Sequence, residues 1–259
     1  MKKTGSENDS RENREAENGI VYGRNSVVEL LKSDSSVDTV YISSDLQDKL
    51  ASYYIALAKE KKATIKRVPA VKMEFICGDS HHQGVAASAS FCEYCSVDDI
   101  VRFAEEKGES PFIILTDGIE DPHNLGAIIR TAECAGVHGI IIPKRGNVAV
   151  NATVHRSSAG ACSHMKIARV SNLSNEIRQL KKKGIFFYYA DMDGANCYKT
   201  DLRGPIGLII GSEGFGVSRL VKELCDASVS LPMYGQVNSL NASAAASALI
   251  YEVVRQRYY

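Results

Sequence analysis

The chain has 259 residues, enough for one large domain or two modest ones, and 44% of them are hydrophobic, which permits a packed core. Its 31 Lys and Arg balance 31 Asp and Glu, so no overall basic field marks a nucleic-acid binder, although phosphate neutralisation can be local. No apolar run approaches the ~20 residues of a membrane span, and no apolar stretch follows the N-terminal lysines as in a secretory signal. With seven scattered cysteines, Cys134, Cys162, Cys197 and Cys225 lying singly among apolar or small residues, a cytoplasmic protein with reduced thiols is expected.

Residues 1–18 are polar, charged and free of aromatics, and read as a disordered tail. The chain changes character at Gly19-Ile20-Val21-Tyr22-Gly23. A short helix over 26–32 follows, capped by Asn25 or Ser26, and residues 37–43 alternate as a strand. Residues 45–62 carry Leu46, Leu50, Tyr53, Tyr54, Leu57 and Ala58 at helical spacing, and 65–68 and 84–89 suit strands. Residues 19–95 thus form a small α/β unit. The charged segment 96–110 holds one short amphipathic helix, ends in Gly-Glu-Ser-Pro, and reads as a linker.

The second unit, 111–259, alternates short apolar strands (112–116, 139–142, 185–190, 206–210, 229–231) with helices (124–136, 177–183, 218–225 and a long last one, 239–258). That alternation predicts a mainly parallel sheet covered on both faces.

Three segments of this unit resist a purely structural reading. DGIEDPHNLGAIIR, residues 117–130, is a strand–loop–helix junction with Asp121 or Asn124 as cap, Pro122 near the helix start and Gly126 for close packing. Arg130 lies off its apolar stripe, where an arginine is ordinarily a solvated charge. GSEGFG, residues 211–216, has the glycine pattern of a nucleotide-binding turn but neither the G-x-G-x-x-G order of dinucleotide folds nor the ending of a P-loop. A tight turn explains it, except for Glu213, a charge set among backbone amides. VNSLNASAAASA, residues 237–248, opens the last helix with Ser239 or Asn241 as cap and a slim Ala/Ser face suited to close helix contact. Cys77, His81, His82, Cys92 and Cys95 include one C-x-x-C pair, weak support for zinc. Lys59, Lys61, Lys62, Lys66 and Arg67 cluster in the first unit, and Lys144 and Arg145 follow a strand of the second.

Together, DGIEDPHNLGAIIRTAECAG, IIGSEGFGVSRL and LPMYGQVNSLNASAAASALIYEVVRQR closely resemble, in order and spacing, the three motifs of the SpoU family of RNA ribose 2′-O-methyltransferases. The first unit, with VYGRNSVVELL and HHQGVAA, resembles the substrate-binding domain carried by 23S rRNA guanosine 2′-O-methyltransferases. The resemblance implies a trefoil-knotted α/β catalytic domain, a homodimer, and S-adenosylmethionine as methyl donor. It places catalytic roles on Asn124, Arg130, Glu213, Ser239 and Asn241 and cofactor contacts on Gly211, Leu231 and Leu240, with no metal. It adds a further loop at 155–161 that contacts substrate. The alternatives are a tRNA guanosine 2′-O-methyltransferase, an rRNA-methylating resistance enzyme, a non-catalytic RNA-binding protein and, disfavoured by the glycine order, a dehydrogenase.

Overall fold

The computed structural model describes residues 19–33, 36–89, 92–237 and 239–259; the tail predicted at 1–18 lies outside them. Contacts divide the described chain into one unit running to Cys92, with Val150–Ala152, and a second made of Glu93–Ala149 and Thr153–Tyr259.

In the first unit the order is β1 (Ile20–Tyr22), α1 (Arg24–Lys32), β2 (Val37–Ser43), α2 (Asp48–Glu60), β3 (Thr64–Val68), α3 (Ala70–Cys77) and β4 (Val85–Ala89). The sheet order is β1-β4-β2-β3, with β4 antiparallel to β1 and β2, and β3 parallel to β2. Central strand β2 is nearly all buried. Val27 and Leu31 of α1 and Ala51, Tyr54 and Ala58 of α2 pack on Val40, Ile42, Val85 and Ala87. Met73 of α3 packs with Val68 and Ala86 in a separate cluster. Helix α1 starts two residues earlier than predicted: neither Asn25 nor Ser26 caps it, because Gly23, at φ 90°, occupies that position.

The second unit continues with β5 (Tyr94–Cys95), α4 (Val97–Glu106), β6 (Phe112–Asp117), α5 (Pro122–Cys134), β7 (Gly139–Pro143), α6 (Ala152–Ser157), β8 (Ile167–Val170) and α7 (Leu173–Lys182). It ends with β9 (Phe186–Asn196), β10 (Ile206–Gly211), α8 (Arg219–Lys222), β11 (Ala227–Ser230) and α9 (Ala242–Tyr258). The seven strands, ordered β11-β9-β10-β6-β7-β8-β5, all pair in parallel, as their continuous apolar runs require. Ile113, Leu115, Ile141, Phe187 and Ile209 meet Ile100 and Val101 of α4, Ile177 and Leu180 of α7, and Val221 of α8 on one face. On the other face α5 and α9 pack on each other, α5 also on β7 and α9 on β10.

Two expectations need correction. The segment 96–110 is no free linker. Ser96 Oγ accepts from the Asp99 amide at 3.2 Å and Asp99 Oδ2 accepts from the Ser96 amide at 2.9 Å, a capping box that starts α4. Ile100, Val101 and Ala104 of that helix are buried, and a Cβ at Gly139 would lie 2.6 Å from Ile100. Likewise β5, assigned to the first unit by an end at residue 95, pairs with β8 in the second unit's sheet.

Candidate functional site

Helix α5 begins as its sequence dictates: Asp121 Oδ1 accepts from the His123 amide at 3.0 Å, and Pro122 occupies the first turn. Leu125, Ile128, Ile129 and Ala132 form its buried stripe. Asn124 is buried beside them at 7% exposure, so its amide needs partners. Its Nδ2 donates to Glu213 Oε1 at 3.0 Å and its Oδ1 accepts from Asn241 Nδ2 at 2.9 Å. Asn241 Nδ2 also donates to the same Glu213 Oε1, at 2.5 Å. Residues up to 117 positions apart thus meet in one closed group. Glu213 Oε2 has no partner among the described residues.

Each member is held by its own element. Glu213 sits on a hairpin in which Ser212 and Gly216 exchange backbone bonds of 3.1 and 3.0 Å, turning through Gly214 at φ 87°. The loop folds back so closely that a Cβ at Gly211 would lie 2.2 Å from Gly216 C. The glycines serve the tight turn that presents Glu213. Asn241 caps α9, its Oδ1 accepting from the amides of Ser243 at 2.9 Å and Ala244 at 3.2 Å. One amide thus starts the last helix with its oxygen and closes the group with its nitrogen.

The other expected residues stand apart. Arg130 is exposed and has no ion pair or side-chain hydrogen bond among the described residues. Six positions beyond Asn124, it lies ~9 Å along α5 and ~120° around it, so neither Asn124 nor Glu213 holds it. Ser239 is exposed and unbonded among the described residues. Gly211 ends β10 opposite Asp117 of β6, Leu231 directly follows β11, and Leu240 is 47% exposed. Strand C-termini are where open parallel sheets take ligands.

The segment 155–161 comprises the end of α6 and a turn after it. Helix α6 lies on α5 at Gly126, where a Cβ would come within 2.4 Å of Ser157 Cβ. Ser157 Oγ meets His123 Nδ1 at 3.2 Å, beside Asn124, and Thr131 Oγ1 meets Ser247 Oγ at 2.9 Å, pinning α5 to α9. Both contacts escaped the sequence reading; the Ala/Ser run of α9 was the only hint of the second. Of the basic cluster, Lys61 Nζ donates to the Ser33 carbonyl and Arg67 lies 3.8 Å from Asp48. His81 and His82 are engaged with Asp79 and the Gly84 amide, and no group of three His, Cys, Asp or Glu among the described residues is placed to hold a metal.

The SpoU rRNA Methylase family model matches residues 111–251, and a model for RNA 2′-O ribose methyltransferase substrate binding matches residues 20–95. YacO of Bacillus subtilis strain 168, named for the TrmH family of tRNA/rRNA methyltransferases, is 44% identical over 92% of this chain and 95% of that protein. The SpoU methyltransferase AviRb of Streptomyces viridochromogenes, crystallised with its cofactor AdoMet, superimposes with a TM-score of 0.58 at 26% identity, covering 94% of this chain and 92% of AviRb. The A. aeolicus TrmH/SpoU tRNA modifying enzyme gives a TM-score of 0.52 at 26% identity, over 61% of this chain and 82% of its own. With the family model matched over 111–251 and a relative 44% identical over nearly its full length, the chain belongs to the SpoU/TrmH family of RNA methyltransferases.

Proposed function

We propose that the protein transfers a methyl group to a ribose 2′-hydroxyl of RNA, on a guanosine of 23S rRNA. The observation that carries this reading is the closed Asn124–Glu213–Asn241 group, whose Asn124 lies on a helix that also bears an arginine unpartnered among the described residues. The methyl donor is S-adenosylmethionine, which supplies an activated methyl on a sulfonium. Half-buried Leu231 and exposed Met233, Val237 and Leu240 fit it, offering apolar side chains to an adenine after β11 and before α9.

What remains for the chain is alignment and activation of a poor nucleophile. A guanidinium is a poor proton acceptor, so Arg130 acts as an electrostatic clamp and not as a base. It binds the phosphate next to the target sugar and stabilises the 2′-oxygen as its proton leaves to that phosphate. The Asn124–Glu213–Asn241 group fixes the walls of the site, and Glu213 Oε2 is left to accept a donor from the nucleotide. Ser239 orients the loop ahead of Asn241. Because Arg130 lies on another side of α5 from Asn124, we infer a homodimer that lays a second α5 beside the group. A trefoil threading of the second unit belongs to the same reading, as does a cytoplasmic site of action.

The first unit is the substrate grip in this reading. The substrate-binding model supports it, and the tRNA-directed relative covers only 61% of this chain, which favours rRNA over tRNA. Incubation with methyl-labelled S-adenosylmethionine and total RNA, followed by nuclease digestion to nucleosides, tests the whole. Label in 2′-O-methylguanosine from 23S rRNA is expected; label on a base, or none in RNA, would sink the proposal.

A further inference from the structure

We infer that a groove between α1 and α2 of the first unit holds one unpaired nucleotide of the RNA, with guanine preferred over adenine. The inference rests on the RNA-substrate reading above and deepens it. The groove encloses about 450 Å³, room for a base and its sugar. Its aromatic wall is Tyr53, 44% exposed, with Val28 and Leu50 beside it. Tyr54 is buried beneath, donating its hydroxyl to the Arg24 carbonyl at 3.3 Å and meeting Tyr53 edge-on at 5.6 Å between ring centres. The exposed ring is therefore held in place, ready to stack on a base.

The rim is set in the same way. The Arg24 amide donates to Gln83 Oε1 at 3.0 Å and its Nε to the Gln83 carbonyl at 3.4 Å, so the first turn of α1 is stapled. The Arg24 Nη groups, the Asn25 amide and the Glu29 carboxylate have no side-chain partner among the described residues. Asn25 and Glu29 are one turn apart and share a side of α1. A carboxylate facing a polyanion is unfavourable unless it meets donors. An ionised Glu29 only accepts, so it suits the adjacent N1–H and N2–H of guanine, whereas adenine offers a single donor on that edge. Arg24 would hold the adjoining phosphate and offset the charge of Glu29.

The test uses the full-length protein and fluorescein-labelled RNA hairpins identical except for one loop nucleotide: guanosine, inosine or adenosine. Anisotropy titrations should rank them in that order, with guanosine about tenfold tighter than adenosine, the worth of one charge-assisted hydrogen bond. Glu29→Gln should reduce that ratio to about twofold or less. Tyr53→Ala should weaken every hairpin by roughly fivefold or more, and Tyr53→Phe should restore binding. Equal affinity for the guanosine and adenosine hairpins overturns the inference, and so does discrimination that survives Glu29→Gln. Methyl transfer measured alongside separates the two readings: RNA methylation without discrimination removes the groove alone, while loss of both RNA binding and methyl transfer removes the parent reading.

Discussion

Two stretches of helix α5, little more than a turn and a half apart, are treated in opposite ways. At Asn124 the amide is buried and bonded at both ends, to Glu213 and to Asn241. At Arg130 the guanidinium is exposed and bonded to nothing among the described residues. A buried amide bonded at both ends holds one geometry; a charge left unpaired is available to a charged substrate. In the proposed reading the contrast separates scaffold from reagent. It is broken most directly at Arg130. Arg130→Ala should lower kcat by roughly 10²–10³-fold, the cost of removing one donor aimed at developing negative charge. Thermal stability should stay within about 0.5 kcal/mol, as for a surface substitution. Arg130→Lys should recover little, because a point charge cannot reproduce the guanidinium fork. Near-normal turnover by Arg130→Ala would place the chemistry elsewhere.

The opposite expectation holds for Asn241, whose two amide atoms do different work. Asn241→Ala removes the cap of α9, worth about 1 kcal/mol, and strands a buried acceptor on Asn124 at about 1–3 kcal/mol. Both Tm and turnover should fall. Asn241→Asp keeps the oxygen that accepts from Ser243 and Ala244 but replaces the nitrogen, 2.5 Å from Glu213 Oε1, with a second carboxylate oxygen. This variant should melt well above the alanine variant yet remain poorly active. Two carboxylates so close favour retention of one proton, so its activity should rise as pH is lowered. If both variants lose stability equally, the division of labour within Asn241 is wrong.

How much of this was legible in the sequence follows the same division. The strands of the second unit could be read because a parallel sheet buries both faces and leaves plain apolar runs, as in FIILTD and IGLIIG. Local chemistry offered Asp121 or Asn124 and Ser239 or Asn241 as caps, of which the structure uses Asp121 and Asn241, and it anticipated the close packing at Gly126. The convergence of Asn124, Glu213 and Asn241 came from family resemblance alone, since no local rule links residues 117 positions apart. Other features were hidden for physical reasons. In α4 the three buried residues share the helix with seven that are charged or half-exposed, so the amphipathic helix reads from the sequence as part of a linker and its place in the second unit's core stays hidden. Helix α3 is short, although Pro69 before it and Gly78 at φ 66° after it mark its ends. Strand β9 runs on through polar residues to Asn196 because Gly194 admits the backbone of Val229, where a Cβ would lie 2.7 Å away.

A smaller effect tests whether acid weakens the scaffold away from the site. His138 is buried at the opposite, N-terminal end of β6, where its Nδ1 accepts from the Phe112 amide at 2.9 Å and its Nε2 faces Glu109 at 3.1 Å. Burial holds its pKa below 6.5, more strongly than Glu109 raises it, with Lys107 and Arg257 adding to the depression. The unfolded chain therefore binds a proton there before the folded one does. The stability that neutral His138 contributes is complete above about pH 6.5 and is lost as pH falls through the folded pKa. Tm should drop over that range, and His138→Asn, which keeps an acceptor for the Phe112 amide without titrating, should flatten the drop. An unchanged pH profile in the variant would clear His138 of any part in acid lability.

The smallest expected change lies between the two halves of the contrast. Thr131, next to Arg130, meets Ser247 across α5 and α9 at 2.9 Å, and Ser247 Oγ also donates to the Ser243 carbonyl at 2.8 Å. Ser247→Ala removes one neutral bond at a half-buried position and should cost about 0.5–1.5 kcal/mol, or roughly 2–4 °C in Tm per kcal/mol for a protein of this size. What makes the variant informative is its effect on rate relative to stability. If α9 serves only to cap and close the Asn124 group, turnover should be unchanged at temperatures well below Tm. If the pin also sets the rotation of α5, and with it the direction of Arg130, kcat should fall several-fold while the affinity for S-adenosylmethionine holds. The second outcome is expected, because Thr131 and Arg130 share one rigid turn of helix, and a guanidinium with no bond of its own among the described residues is aimed by its backbone.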